Sequence, residues 1–185
     1  MKKYTSDWVE NFIDLKKKID KSLNELKYRI EHVGSTSVPG LDSKNIIDID
    51  IIYESESEFK KIKAGLIDFG YYHNGNQGIE QREVFKRTGQ TSDPILDKIS
   101  HHLYVCHSES KALERHLLSR DFLRKNDWAR LAYQEMKYEL AEKAGQDKKR
   151  YAELKELNVN EFIDSIIEKE RKDLYKNLEQ PILQT

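Results

Sequence analysis

Residues 34–50 read GSTSVPGLDSKNIIDID, a turn built from small residues and proline that runs into an isoleucine-rich strand. Ile46 to Tyr53 is strongly β-branched and predicts that strand. Asp48 and Asp50 are two residues apart, so in extended backbone their carboxylates project from one face and Ile47, Ile49 and Ile51 from the other. At roughly 6 to 7 Å and an effective dielectric near 20, two such charges repel by about 2 to 3 kcal/mol. Two readings offset that repulsion. A bound cation neutralises both carboxylates, or the pair lies on the solvated face of a half-buried strand.

Working outward, Tyr28 to Val33 predicts a short strand ended by Gly34, with a turn and a short helix before the Asp strand. Upstream, Trp8, Phe12, Leu15, Ile19, Leu23 and Leu26 fall at steps of four and three, the spacing of an amphipathic helix. Downstream, SESEFKKIKAGLIDFGYY opens with Ser55 and, three residues on, Glu58, the pattern of a capping box. Phe59, Ile62, Leu66 and Phe69 share one face before Gly70 stops the helix. Glu80 to Arg87 and Ser100 to Cys106 have strand composition, and the loop TGQTSDPILDK separates them. The expected order is helix, strand, strand, helix, strand, strand.

After Ser108 the apolar residues recur only at helical spacing. Asn158, with Glu161 three residues later, is the expected cap of the last long helix, and EQPILQT is expected to fray. Paired strands followed by helices indicate an α+β fold, a mixed sheet with helices and then a helical C-terminal region. The expectation is one domain over residues 1–185, its sheet-containing part about 28–107 and its helical part about 108–177.

The strand ending in Gly-Ser, followed after twelve residues by Asp-x-Asp on a second strand, resembles the active-site signature of the nucleotidyltransferase superfamily. EHVGSTSVPGLDSKNIIDI is similar to the hallmark of one group assigned to it, the GrpB family of small bacterial proteins. HHLYV, HLLSRDFLRKND and YQEMKYELAEK resemble that family's second half, so the likeness covers about Tyr28 to Ile167. It implies a nucleotidyltransferase-like fold, Mg²⁺, a nucleotide triphosphate or other phosphorylated small molecule as partner, and nucleotidyl transfer to an acceptor. Its members' occurrence in fusion with dephospho-CoA kinase associates the family with nucleotide or coenzyme A metabolism. Catalytically degenerate binding of a nucleotide or a coenzyme A-related ligand is one alternative, and an interaction protein without ligand another.

Residue chemistry agrees in part. Backbone amides of the Gly34–Ser35 turn and the hydroxyls of Ser35 and Thr36 suit phosphate oxygens. Lys44, Arg82 and Lys86 suit its charge, the last two sharing a strand face, although solvated edge-strand residues have the same composition. Asp48 and Asp50 are hard ligands for Mg²⁺, which keeps several waters and completes its shell from substrate phosphate. Active members of the superfamily generally present a third carboxylate from a later strand. Here SHHLYV offers His102 instead, a residue able to accept a proton near neutral pH. Glu83 is the acidic candidate nearby for the metal. The expected catalytic residues are therefore Asp48, Asp50 and His102.

Charged residues form 35% of the chain with a formal net charge of -1, so no global field draws in a polyanion and nucleic acid is not the expected partner. MKKYTSDWVE lacks the apolar core of a signal peptide and no run reaches membrane-span length. Cys106 is the sole cysteine, which excludes an intramolecular disulfide and points to a cytoplasmic protein. His102 and Cys106 share one strand face while His101 and His107 share the other, so the four do not converge on one zinc ion without a bulge. His32 reads either as a support beside the site or as a hydrogen-bonded buried histidine. Arg120, Asp121 and Arg124 read as an ion-pair network, and Tyr133, Tyr138 and Tyr151 as helix-packing residues. Nothing in the sequence fixes an oligomeric state.

Overall fold

The computed structural model describes residues 1–24, 26–145 and 147–179. The chain divides into two compact units, one of residues 2–116 and one from residue 117 onward.

The first unit is a five-stranded mixed sheet with helices. Its strands are β1 (Arg29–Val33), β2 (Ile47–Tyr53), β3 (Tyr71–His73), β4 (Arg82–Arg87) and β5 (His101–His107), in the spatial order β1-β2-β5-β4-β3. Only the central β2/β5 pair is parallel, as its crossover through α2 (Glu56–Asp68), β3 and β4 requires. β3 is absent from the expected order: three residues after Gly70 are too few to establish a period of two.

Alternation along β2 decides which face becomes core. Ile47, Ile49 and Ile51 are essentially inaccessible and pack with Leu103 and Val105 of β5 and Phe85 of β4. Trp8, Leu15 and Ile19 of α1 (Asp7–Ser22), with Ile62 and Leu66 of α2, cover them. α1 ends four residues short of Leu26, which still packs against this cluster from the following loop. α2 starts where its capping residues place it: Ser55 Oγ accepts from Glu58 N–H at 3.3 Å, and Glu58 Oε2 accepts from Glu54 N–H at 2.8 Å. The loop before β5 is pinned by Asp93, whose Oδ1 accepts from Ile95 and Leu96 N–H and whose Oδ2 pairs with Lys18 at 2.7 Å, seating Leu96 in the core. Burial favours the neutral Asp93 carboxyl, but Lys18 and these two amides prevail and hold it at about 2.

The second unit contains the C-terminal part of α3 (Lys111–Lys125), α4 (Asp127–Lys143) and α5 (Lys148–Glu179). Tyr133 stacks on Phe162, and Lys125 pairs with the buried Glu170. Arg120 Nε lies 2.8 Å from Asp121 Oδ1 and Arg124 reaches the same carboxylate at 4.0 Å, the expected ion-pair network. Tyr133 and Tyr151 are buried, whereas Tyr138 is exposed and does not belong with them as packing residues. Asn158 is not a helix cap. It lies inside α5, where its Nδ2 donates to Leu154 O one turn back, and the helix opens ten residues earlier with Asp147 Oδ1 accepting from Lys149 and Arg150 N–H. Of the tail expected to fray, residues 180–185 lie outside the described residues. No helix among the described residues is long and apolar enough to cross a membrane.

Candidate functional site

The sheet face opposite the isoleucines carries Asp48 and Asp50. Register sets them in rows across the strands: Val33, Asp48 and His102 in one, Glu31, Asp50, Tyr104 and Val84 in the next, Arg29, Ile52, Cys106 and Arg82 in the third. Lys86 continues the Arg82–Val84 face of β4 and is exposed. Asp48, Asp50, His102, Arg82 and Lys86 therefore share one surface.

Glu83 does not. One residue from Arg82, it lies on the core-side face, where its Oε2 meets His73 Nε2 at 2.5 Å. The pleat that sets Arg82 and Lys86 on the aspartate face removes Glu83 from it, so Glu83 is no ligand to an ion held by Asp48 and Asp50. Thr36 is also withdrawn from the expected phosphate contacts. It is 1% exposed, its hydroxyl proton is directed at Ile46 O (3.3 Å), and the same oxygen accepts from His32 Nε2 (3.0 Å). His32 itself is buried and stacks on Phe12, a support of the turn. The expected short helix is a single 3₁₀ turn, Ser35–Ser37, closed by Ser37 Oγ donating to Gly34 O at 2.6 Å. Three residues align too few peptide dipoles to supply a helix-end field.

Gly34 is where the turn and the strand meet. Its φ of 70° and ψ of -173° lie in a region essentially reserved for glycine. A Cβ there would stand 2.2 Å from Asp48 Oδ2 and 2.9 Å from its Cγ. The backbone of the turn is thus laid directly on the Asp48 carboxylate, whose Oδ1 accepts from His102 Nδ1 at 2.8 Å. His102 is half exposed and Asp48 is 28% exposed. Ser35 and Lys44 are both half-buried, Ser35 in the turn and Lys44 in the loop just before β2.

Asp50 is 0% exposed. Its Oδ2 accepts from His116 Nδ1 at 2.8 Å, and its Oδ1 has no hydrogen-bond partner. His116, on α3, lies 66 residues from Asp50 in the chain and no spacing rule connects them. Tyr104 lies between the two pairs, its ring 6.2 Å from His102, 5.9 Å from His116 and 4.8 Å beneath the Arg82 guanidinium. Burial, reinforced by Asp48, pushes its hydroxyl up to about 12. Arg82 Nε is itself buried without a hydrogen-bond partner. The neighbouring Cys106 thiol is raised by burial and then by Asp50, the environment of an inert packing residue. Glu31, outside the expected site residues, faces Asp50 directly across the β1/β2 ladder. Alternation back from Val33 was the available signal. Among the described residues no three His, Cys, Asp or Glu side chains converge as a metal-binding group, so Glu31 does not complete a triad with the two aspartates.

Fold and face together define an α+β protein with a mixed sheet, a glycine turn pressed on the first aspartate of an Asp-x-Asp strand, and a buried second aspartate. The chain belongs to the GrpB family: the model for GrpB protein matches residues 1–169. It is 29% identical over 164 residues to glutamate-rich protein GrpB of Alkalihalophilus pseudofirmus, covering 88% of this chain and 92% of that one. To YqkA of Bacillus subtilis it is 31% identical over 138 residues, 75% of this chain but only 38% of the longer YqkA. The crystal structure of GrpB from Enterococcus faecalis has the same fold, with a TM-score of 0.74 at 28% identity over 94% of this chain and 98% of that one. A fainter likeness, TM-score 0.46 at 15% identity over 66% of this chain and 42% of that one, is to the Cid1 poly(U) polymerase with MgGTP bound, too slight to bear on function.

Proposed function

We propose that this chain binds a nucleoside triphosphate with Mg²⁺ on the aspartate face and transfers the nucleotidyl group to an acceptor. The observation that carries the reading is Asp50: a wholly buried carboxylate with one oxygen unpartnered, two residues from a carboxylate on the same face. A buried acceptor left unsatisfied costs about 1 to 3 kcal/mol, more when charged, and a divalent cation removes that cost. Asp48 and Asp50 fit Mg²⁺, which needs one or two protein carboxylates when waters and phosphate oxygens fill the remaining positions. When bound, the ion supplies charge neutralisation at the phosphates and at the attacking and leaving oxygens.

The chain's own residues have separate tasks. Gly34, lacking a Cβ, lets the Ser35 backbone and hydroxyl reach a phosphate beside Asp48. Arg82, with an unpartnered Nε, and Lys86 lie on the same face for the remaining phosphate charge. Lys44, at the entrance to β2, is a further cation for it. His102, half exposed and hydrogen-bonded to Asp48, is placed to take the proton of an attacking hydroxyl.

A second reading, binding without turnover of a nucleotide or coenzyme A-related ligand, is favoured by a specific observation. Glu83 lies on the far face, and no third acidic side chain converges with Asp48 and Asp50 among the described residues. Release of pyrophosphate from labelled triphosphates, with a metabolite extract as acceptor source, separates the readings. Turnover lost in Asp48→Asn supports transfer. A Mg²⁺-dependent rise in melting temperature without pyrophosphate supports binding alone, and neither effect with any nucleotide opposes both.

A further inference from the structure

The second histidine–aspartate pair differs from the first in burial and in the element that supplies its histidine. His102 and Asp48 are both partly exposed and are neighbours across the β2/β5 ladder. His116 instead reaches Asp50 from α3, and Asp50 is completely buried. A carboxylate oxygen only accepts, so His116 Nδ1 carries the proton of this bond and Asp50 Oδ2 is engaged. Oδ1 is left without a partner. The neighbouring Tyr104 ring lies 5.9 Å from the imidazole, centroid to centroid.

Resting on the metal reading above, we infer that His116 is the positioning residue for Asp50. By holding Oδ2 it fixes the carboxylate rotamer and leaves Oδ1 as the oxygen that a divalent cation takes. His116 acts here as the donor behind the ligand: its nitrogen facing Asp50 carries the proton of that bond, and among the described residues no three His, Cys, Asp or Glu side chains converge as a metal-binding group. The two aspartates are then treated alike, each with one oxygen held by an imidazole N–H. Hydrogen-bonding partners behind metal ligands of this kind change metal affinity about 10- to 100-fold when removed.

The test uses the full chain with Mn²⁺ alone as the probe, followed by electron paramagnetic resonance and displaced with Mg²⁺. Wild type is expected to bind Mn²⁺ and to release it to Mg²⁺, and Asp48→Asn to lose the site. His116→Leu removes the donor at similar volume and is expected to weaken binding about 10- to 100-fold. His116→Asn keeps an N–H near the Nδ1 position and is expected to stay within about threefold of wild type. Where His116→Leu does not fold, His116→Gln, whose amide lies one methylene further out, is expected to show the loss instead. Binding by His116→Leu equal to wild type, or His116→Asn as weak as His116→Leu, overturns the positioning role. Absence of Mn²⁺ binding by wild type, or unchanged binding by Asp48→Asn, overturns the metal reading and this role with it.

Discussion

Replacing Gly34 with alanine tests the contact on which the site is built. Two penalties are expected. The first is backbone: with φ at 70° and ψ at -173°, any Cβ is strained, by about 1 to 3 kcal/mol. The second is local. The new Cβ would lie 2.2 Å from Asp48 Oδ2, more than about 1 Å inside ordinary contact. Asp48 is partly exposed, so its carboxylate can swing away, but doing so breaks the bond from His102, a loss of about 0.5 to 1 kcal/mol at such exposure. The sum is about 1.5 to 4 kcal/mol. Gly75 provides the control: its φ is +69° with nothing within 4 Å of a built Cβ, so Gly75→Ala should cost about 1 to 2 kcal/mol. Urea unfolding followed by Trp8 fluorescence reports on the sheet unit, because Trp8 is wholly buried in its core. The measurement is best made in a Trp128→Phe background, which silences the exposed tryptophan of the other unit. A Gly34→Ala penalty no larger than that of Gly75→Ala would refute the argument. So would an unchanged effect of Gly34→Ala in an Asp48→Ala background, where the crowding oxygen is gone.

Other expectations concern stability. The folded Asp93 carboxyl, held at about 2 against an ordinary value of 3.8, binds its proton later than the unfolded chain does. Its stabilisation is therefore full above about pH 4 and lost as pH falls toward 2, and Asp93→Ala, which also removes the turn's acceptor, should cost about 0.5 to 2 kcal/mol in urea melts at pH 7. His101 is held neutral chiefly by burial, accepting at Nε2 from Tyr71 Oη at 2.7 Å while its Nδ1–H donates to Ile99 O at 2.7 Å. Its folded pKa lies below 6.5, so the stability it contributes is complete above that value and declines as pH falls below it. Nitrogen-15 NMR should find the Nδ1–H tautomer, and Tyr71→Phe should cost about 1 kcal/mol. Ser55→Ala should destabilise the sheet unit by about 1 kcal/mol through loss of the Ser55–Glu58 cap, read in the same urea melts.

Much of the sheet unit was legible because its signals are local. Alternation at Ile47, Asp48, Ile49 and Asp50 separates the two faces of β2, and the Ser55–Glu58 pair marks the start of α2. Glu83 was misplaced because β4 carries charge on both faces, Arg82 and Lys86 on one, Glu83 and Arg87 on the other, so alternation there does not tell inside from outside. Thr36 suits phosphate by residue type, but its hydroxyl is engaged by His32, four residues back, and by Ile46 O, ten residues on. Asn158 matched a capping pattern, but the helix already running from Lys148 overrode that local preference. His116 belonged to no motif at all. It meets Asp50 only because the chain returns to the sheet through α3, and such a contact leaves no trace in periodicity or spacing.

Calorimetric titration with nucleoside triphosphates in the presence of Mg²⁺, comparing wild type with Asp48→Asn and Asp50→Asn, tests the proposed site most directly. Saturable heat with at least one triphosphate, absent without Mg²⁺ and absent in both variants, is the expected result. Equal heats in wild type and variants, or none with any triphosphate at millimolar concentration, would contradict it.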